Sequence, residues 1–169
     1  MKIVGIIPAH LASVRFPKKI LFDICGLPMI EHVRRRALLS KELDDVLVAT
    51  CDAEIADVVE FYGGKVVRTS NNHKNGTSRI AEVVQSYNCS HVLLLQGDEP
   101  LLLPKHIDSM IDSIKKSPGK DSWNATGSID TASELNLHSF VKCAVTKDNK
   151  IIHCFRKTPY FSDIKIQKK

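Results

Sequence analysis

Short apolar runs rich in β-branched residues alternate along this chain with segments whose apolar residues recur every three or four positions. The runs occupy residues 3–7, 45–50, 65–68 and 91–95. Runs of this kind are typical of strands buried on both faces, as in a parallel sheet. Helical spacing occupies residues 28–38, 54–61, 79–87 and 105–116. This alternation predicts an α/β fold, a mostly parallel mixed sheet with helices on both faces.

The later part of the chain has a different pattern. Residues 141–145 and 151–155 flank a turn at Asp148 and Asn149 and predict a β-hairpin. A weak strand over 124–129 and a helix over 133–138 are expected before it. With 169 residues, the chain is expected to form a single domain in which residues 124–160 make a small subdomain.

Composition narrows the class of protein. The net charge of +5 suits a phosphate-rich ligand, but the cations are dispersed and aromatic residues make up only 6%, which argues against nucleic-acid binding. Five scattered cysteines without a CxxC pair indicate reduced thiols and no zinc site, as in a cytoplasmic protein. No apolar run approaches the length of a transmembrane helix, and the N-terminus resembles a strand rather than a signal peptide.

The loop after the first apolar run combines small side chains with cations. Pro8 ends the run, since proline cannot donate to a strand ladder. The small and cationic residues that follow are Ala9, Ala12, Ser13, Arg15, Lys18 and Lys19. Small residues let backbone N–H groups approach an anion that the cations neutralise, which suggests a triphosphate cradle. An ordinary basic surface loop is the alternative, because neither common glycine-rich phosphate motif is present.

Two carboxylates follow the fourth run, in the stretch Gln96-Gly97-Asp98-Glu99. Mg²⁺ binds one or two carboxylates together with phosphate oxygens, so this stretch favours a magnesium site at Asp98. The alternative is a turn in which Asp98 caps the following segment. Asp52 presents the same choice, as a helix N-cap or as a ligand.

The polar, turn-rich stretch 69–77 has the composition of a functional loop. Thr77 or Ser78 is expected to cap the helix that follows it.

Three stretches of the chain resemble motifs of the 3-deoxy-manno-octulosonate (Kdo) cytidylyltransferase family, the CMP-Kdo synthetases. Residues 6–19 (Ile-Ile-Pro-Ala-His-Leu-Ala-Ser-Val-Arg-Phe-Pro-Lys-Lys) resemble its nucleotide loop. Residues 75–82 (Asn-Gly-Thr-Ser-Arg-Ile-Ala-Glu) are similar to its Ser-Gly-Thr-[Asp/Glu]-Arg motif, and residues 96–100 (Gln-Gly-Asp-Glu-Pro) to its signature. The resemblance covers almost the whole chain.

The resemblance implies a fold of the nucleotide-diphospho-sugar transferase type and a specific reaction. The anomeric hydroxyl of the acid sugar Kdo would attack the α-phosphate of CTP, giving CMP-Kdo and pyrophosphate for lipopolysaccharide synthesis. Mg²⁺ is the implied cofactor, a homodimer the implied assembly, and the 124–160 subdomain would help to bind the sugar.

The resemblance also implies roles for individual residues. Arg15 and Lys19 would hold the triphosphate and stabilise the leaving pyrophosphate, and Asp98 would bind the metal. The expected substrate contacts are Pro8, Ala9, His10, Ser13, Lys18, Asn75, Gly76, Thr77, Ser78, Arg79, Gln96, Gly97 and Arg156. Arg79 would either pair with the sugar carboxylate or support its loop.

Several positions depart from the family pattern. His10 replaces an arginine, Lys18 replaces a glycine, and Ser78 replaces an acidic residue. Family members also run on past residue 169, through the usual dimer segment and a second metal-binding aspartate. The chain is thus expected to be a fragment or to work without those parts. Alternative functions are activation of another acid sugar, such as a nonulosonate, and nucleotide binding by an impaired remnant.

Overall fold

The computed structural model of the protein describes residues 1–12 and 16–157. In chain order the elements are β1 (Ile3–Ala9), a 3₁₀ turn (Lys19–Leu21), β2 (Asp23–Ile24), β3 (Leu27–Pro28), α1 (Met29–Ala37), β4 (Asp45–Thr50), α2 (Ala53–Phe61), β5 (Lys65–Arg68), α3 (Gly76–Ser86), β6 (His91–Leu94), α4 (Pro104–Lys116), α5 (Ala132–Asn136), β7 (Lys142–Val145) and β8 (Ile151–Phe155). By Cα proximity the chain divides into two compact units, Met1–Trp123 and Asn124–Lys169.

The first unit is built on a four-stranded sheet with the order β5-β4-β1-β6. Every neighbouring pair of these strands is parallel. β1 lies inside the sheet, where Ile6 is opposite Leu47 of β4 and Leu94 of β6. The predicted α/β fold with a largely parallel sheet is confirmed.

Side chains of β1 alternate between two separate apolar cores. Ile3 and Ile7 belong to the core that contains residues of α1, α2 and α4. Val4 and Ile6 face the other core, which receives Ile80 and Val83 of α3. Both faces of the sheet are therefore covered, which explains why the strands contain few polar residues.

The strand order determines where a ligand can bind. From β1 the chain moves to β4 and β5 on one side, and it then returns through α3 to place β6 on the other side of β1. Open α/β sheets bind ligands at such a reversal, beyond the carboxyl ends of the strands. The carboxyl ends of β1 and β6 therefore mark the candidate site.

The second unit contains α5 and the antiparallel hairpin β7–β8, as the pattern predicted. The expected strand over 124–129 is wrong, because residues 124–131 form no regular element. Residues 124–128 are exposed and mostly small or polar, so they offer no apolar face that a strand could bury. Among the described helices, none has the length and apolar character that crossing a membrane requires.

Candidate functional site

Lys19 and Asp98 form an ion pair at the carboxyl edge of the sheet. Asp98 follows β6, and Lys19 begins the 3₁₀ turn after the loop that leaves β1. Their side chains are 31% and 41% exposed, so both groups are open to a ligand from solvent. An exposed pair of this kind contributes little to stability, and its partners can separate easily.

Two glycines lie where a side chain would collide with a neighbouring residue, Gly97 directly before Asp98 and Gly76 at the start of α3. A Cβ on Gly97 would lie 2.6 Å from Cδ1 of Ile20 and 3.3 Å from Cγ2 of Ile7. A Cβ on Gly76 would lie 2.8 Å from Cγ of Pro8, at the carboxyl end of β1. Real Cβ atoms essentially never come within 3.0 Å of another heavy atom. A side chain at Gly76 would therefore require Pro8 to move, and one at Gly97 would require the end of the Ile20 side chain to shift.

The start of α3 is capped by Asn75, and the prediction of Thr77 or Ser78 as the cap is wrong. Asn75 Oδ1 accepts the N–H of Ser78 at 2.9 Å, and the hydroxyl of Ser78 donates to the Asn75 carbonyl at 2.9 Å. Asparagine is among the best N-cap residues, so the helix begins earlier than predicted. Gly76, Thr77 and Ser78 therefore occupy its first turn, which favours a nearby anion.

Arg79 is turned inward rather than towards solvent. Its side chain is 3% exposed, and Nη1 donates to the hydroxyl of Thr69 and to the carbonyl of Ser70, the latter at 3.3 Å. Nη2 donates to Sγ of Cys51 at 3.5 Å. Arg79 was expected either to pair with the sugar carboxylate or to support its loop. These contacts agree with the second role, because they hold the 69–75 loop.

Glu82 and His73 form a second anchor for the same loop, and the sequence reasoning missed it. The Glu82 carboxylate accepts the N–H of Ser70 at 3.0 Å and pairs with the His73 ring. The hydrogen bonds from His73 and then from Ser70 hold the pKa of Glu82 below its usual value. Glu82 follows Arg79 by three residues, so both side chains lie on the same face of α3. This spacing was the sequence signal that could have identified Glu82 as a second contact to the loop.

Asp52 anchors the loop that leaves β1. Its carboxylate accepts the N–H of Leu11 at 2.9 Å, and its own N–H donates to the Thr50 hydroxyl at 3.1 Å. Although it stands at the N-cap position of α2, its side chain does not cap that helix. From the sequence, Asp52 was considered as a helix N-cap or as a ligand, and its contact with Leu11 was not predicted.

Lys18 has a conformation unusual for a residue with a side chain. Its φ of 56° lies in the left-handed region. The Kdo cytidylyltransferase family, which the chain resembles, has glycine at this position. Its ammonium pairs with Glu54 at 2.6 Å, and the two side chains are 60% and 47% exposed. Lys18 is therefore near the loop but already has a carboxylate partner.

The remaining predicted site residues fall into three groups. Ala9 is buried, Pro8 is half-buried, and His10 and Gln96 are exposed at the carboxyl ends of their strands. Ser13 and Arg15 lie outside the described residues. Arg156 lies in the second unit, where Nη1 donates to the carbonyls of His138 at 3.2 Å and Ser139 at 3.0 Å.

The fit of Mg²⁺ can be judged from the donors present. Within residues 1–12 and 16–157, no three His, Cys, Asp or Glu side chains are grouped as a metal site. Asp98 is an accessible carboxylate at the carboxyl edge of the sheet. Mg²⁺ often takes one or two carboxylates and fills its remaining positions with phosphate oxygens and water. The donor chemistry therefore fits Mg²⁺ bound together with a nucleotide.

The fold and this edge define an α/β protein with a candidate ligand site at the reversal of strand order. Within that class, the chain belongs to the cytidylyltransferase family, whose sequence profile matches residues 4–168. The resemblance based on the three motifs is confirmed.

Individual relatives agree with this assignment. The chain is 37% identical over 164 residues to a 3-deoxy-manno-octulosonate cytidylyltransferase of Geobacter sulfurreducens, covering 96% of this chain and 66% of the relative. It is 39% identical over 168 residues to an 8-amino-3,8-dideoxy-manno-octulosonate cytidylyltransferase of Shewanella frigidimarina, covering 96% and 69%. The chain spans about two thirds of the length of the curated relatives it matches.

A solved structure supports the same fold. The CMP:2-keto-3-deoxy-manno-octonic acid synthetase complexed with CTP superposes with a TM-score of 0.85 at 32% sequence identity. The match covers 96% of this chain and 68% of the neighbour. The predicted fold of the nucleotide-diphospho-sugar transferase type is confirmed.

Proposed function

We propose that this protein transfers CMP from CTP to an eight-carbon acid sugar of the Kdo type, releasing pyrophosphate. The observation that carries the proposal is the solvent-accessible Lys19–Asp98 pair at the carboxyl edge of the sheet. The Kdo and amino-Kdo cytidylyltransferases among its relatives indicate the substrate class.

In the proposed reaction, the anomeric hydroxyl of the sugar attacks the α-phosphorus of CTP. A new bond forms between the sugar oxygen and the α-phosphorus, and the hydroxyl proton passes to solvent. The bond between the α-phosphorus and the oxygen that bridges to the β-phosphate breaks, and pyrophosphate leaves with that oxygen. Phosphoryl-type transfer depends on positioned positive charge more than on covalent catalysis. Lys19 is proposed to leave Asp98 and neutralise phosphate oxygens with its ammonium, and Arg15 is proposed to assist it.

The exchange of partners at Lys19 is central to this proposal. Without a ligand, Lys19 and Asp98 neutralise each other. An arriving triphosphate offers Lys19 a stronger anionic partner and leaves the Asp98 carboxylate available for the cation that accompanies CTP. When bound, Mg²⁺ supplies Lewis-acid stabilisation of the phosphate charge.

The first turn of α3 is proposed to face the nucleotide or the sugar. Gly76 packs against Pro8, so this turn lies beside the end of β1. The contacts of Arg79, Glu82 and Asp52 hold the two loops that border it. Catalytic groups on loops need such support, since small displacements slow phosphoryl transfer strongly.

The oligomeric state, the cellular location and the use of the product are also proposals. The family resemblance supports a homodimer, a cytoplasmic location and use of the product in lipopolysaccharide synthesis. The coordination of a cation at Asp98 would be completed by phosphate oxygens and water or by a further carboxylate.

The test is pyrophosphate release by this chain and by the whole protein, with CTP, Mg²⁺ and Kdo. Asp98→Asn is expected to lower kcat/KM by at least about a hundredfold, because the cation loses its only proposed protein ligand. Asp57→Asn, which changes an exposed carboxylate of α2, is the matched control and should leave turnover unchanged. Undiminished turnover of the Asp98 variant would remove that residue from its assigned role.

A second candidate substrate is 8-amino-3,8-dideoxy-manno-octulosonate, favoured by the 39% identity to an enzyme of that name. The two sugars differ only at carbon 8, so comparison of their kcat/KM values decides between them. Binding of CTP without turnover of either sugar, in the whole protein, would instead support the nucleotide-binding remnant.

A further inference from the structure

Two cysteines face each other across the β7–β8 hairpin. Cys143 and Cys154 are paired in the antiparallel register, and their Sγ atoms lie 3.2 Å apart, within hydrogen-bond range for thiols. Cys143 is half-buried and Cys154 is exposed, so the pair is accessible from solvent. The candidate nucleotide site uses neither residue.

The backbone geometry of the pair is compatible with a covalent bond. Directly opposite residues of antiparallel strands have Cα atoms about 4.5–5.5 Å apart. Disulfides span Cα distances of about 4.4–6.8 Å, so the bond can form without separation of the strands. The thiol contact further shows that both side chains lie on the same face of the hairpin.

We propose that Cys143 and Cys154 form a redox-modification site that closes reversibly into an intramolecular disulfide through exchange with a low-molecular-weight disulfide. This inference is independent of the proposed function, because it depends only on the hairpin. In a reducing compartment the dithiol form prevails, and the disulfide forms when the thiol pool becomes oxidised.

The exchange proceeds in two balanced steps. Cys154 loses its proton, and its thiolate attacks one sulfur of the small disulfide, giving a mixed disulfide and releasing one small thiolate, which takes up a proton. Cys143 then loses its proton and attacks the Cys154 sulfur, which forms the protein disulfide and releases the second small thiol. The two protein thiols lose two electrons and two protons in total, and the small disulfide is reduced to two thiols.

The order of attack follows from the two environments. Cys154 is the more exposed thiol and is therefore the one a small disulfide reaches first. The hydrogen bond with Cys154 raises the pKa of Cys143, which keeps that thiol protonated until its partner has reacted. Cys143 is thus suited to the second, resolving step.

The Cys143–Cys154 disulfide would form next to a part of the hairpin that polar contacts already hold in place. The next residue pair is Lys142 and Phe155. Lys142 is 3% exposed, and its Nζ donates to the carbonyls of Leu137 at 2.5 Å and Arg156 at 2.9 Å. A disulfide at the adjacent pair would bind the two strands covalently beside this buried ammonium and just before Arg156.

The test is incubation of the full chain with oxidised and reduced glutathione, followed by acid quenching, alkylation and peptide mass spectrometry. We expect a Cys143–Cys154 cross-link, with Cys25, Cys51 and Cys89 alkylated or carrying glutathione singly. The equilibrium constant for the cross-link should be at least about tenfold higher in buffer than in concentrated urea, because the hairpin holds the thiols together.

Single variants check the order of the steps. In Cys143→Ser, the mixed disulfide of Cys154 with glutathione should accumulate, since no resolving thiol remains. In Cys154→Ser, Cys143 should react more slowly than Cys154 does in the first variant. The proposal is overturned if both cysteines remain alkylated while Cys25 carries glutathione, or if the cross-link is equally favourable in urea.

Discussion

At the scale of single residues, Lys18 combines a strained backbone with an exposed ion pair. A left-handed φ costs a residue with a Cβ roughly 1–2 kcal/mol, and the exposed pair with Glu54 returns only about 0–1 kcal/mol. A lysine here therefore destabilises the loop locally. The proposed contact of its ammonium with the triphosphate would give this lysine a use other than stability.

Replacement of Lys18 by glycine and by alanine separates the two effects. Both variants lose the pair with Glu54, but only Lys18→Gly relieves the left-handed strain. We expect the glycine variant to have a free energy of unfolding about 1 kcal/mol higher than that of the alanine variant. Urea denaturation measures this difference, and equal stabilities would show that the backbone at position 18 is not strained.

At the scale of elements, α3 is held at both ends by single side chains. Asn75 caps its N-terminus, and Tyr87 at its C-terminus donates its hydroxyl to Asp45 Oδ2 at 2.6 Å, at the start of β4. The helix is thus fixed relative to the sheet whose edge carries the candidate site. Loss of either contact should act on the position of α3 as well as on stability.

Asn75→Ala is expected to lower the free energy of unfolding by about 1 kcal/mol, because the N–H of Ser78 loses its acceptor. Asn75→Ser, whose hydroxyl can accept the same N–H, should recover most of the loss. Thermal or urea unfolding followed by circular dichroism measures both variants. Equal destabilisation by alanine and serine would show that another property of Asn75 matters.

The Tyr87 contact predicts a pH dependence at the alkaline end. The hydrogen bond to Asp45 raises the pKa of Tyr87 to about 12. Because the folded-state pKa is above the ordinary value of 10.0, the stabilisation is complete below pH 10 and is lost as the pH rises through 12. Tyr87→Phe should lower stability at neutral pH, and its stability should fall less than that of the wild type above pH 10.

Ultraviolet titration gives an independent measurement of the same contact. The wild type should contain a tyrosine that ionises near pH 12, and that transition should be missing from Tyr87→Phe. If Tyr87 titrates at its ordinary pKa, the hydroxyl does not donate to Asp45 in solution.

At the scale of the whole molecule, the two compact units predict where the chain is most easily cut. Residues 117–122 and 124–128 are exposed and, like 129–131, contain no regular element. Segments with few buried contacts open most readily to proteases. Of the residues that the structure describes, 117–131 should therefore be the first that brief digestion with proteinase K cuts, and mass spectrometry can locate the cuts. First cuts inside the sheet of the first unit would contradict the division at Trp123.

The sequence predicted features that depend on neighbouring residues, but it did not predict contacts between residues far apart in the chain. Strands such as 45–50 and the site stretch around Asp98 were visible because burial on both faces leaves an apolar run, and a polar turn follows at the ligand edge. The side-chain contacts were not visible. Asp52 binds Leu11 across 41 positions, and no local pattern reveals such a partner.

Some predictions differed from the structure because several neighbouring residues could fill the same role. Asn75, Thr77 and Ser78 are all good capping residues, and in the structure it is Asn75 that accepts the N–H of Ser78. The inward direction of Arg79 likewise depends on acceptors at Thr69 and Ser70, which a one-dimensional pattern does not position.

The wide sequence separation of the site residues has a consequence for how the protein acquires its site. Lys19 and Asp98 are 79 positions apart, and they meet only when β6 has paired with β1 after β4 and β5 have been synthesised. Parallel pairings of this kind close long loops and form slowly. The proposed nucleotide site is therefore expected among the last features to assemble during folding. If CTP binds there, CTP present during refolding would bind only chains whose sheet is complete and would shift the population towards them.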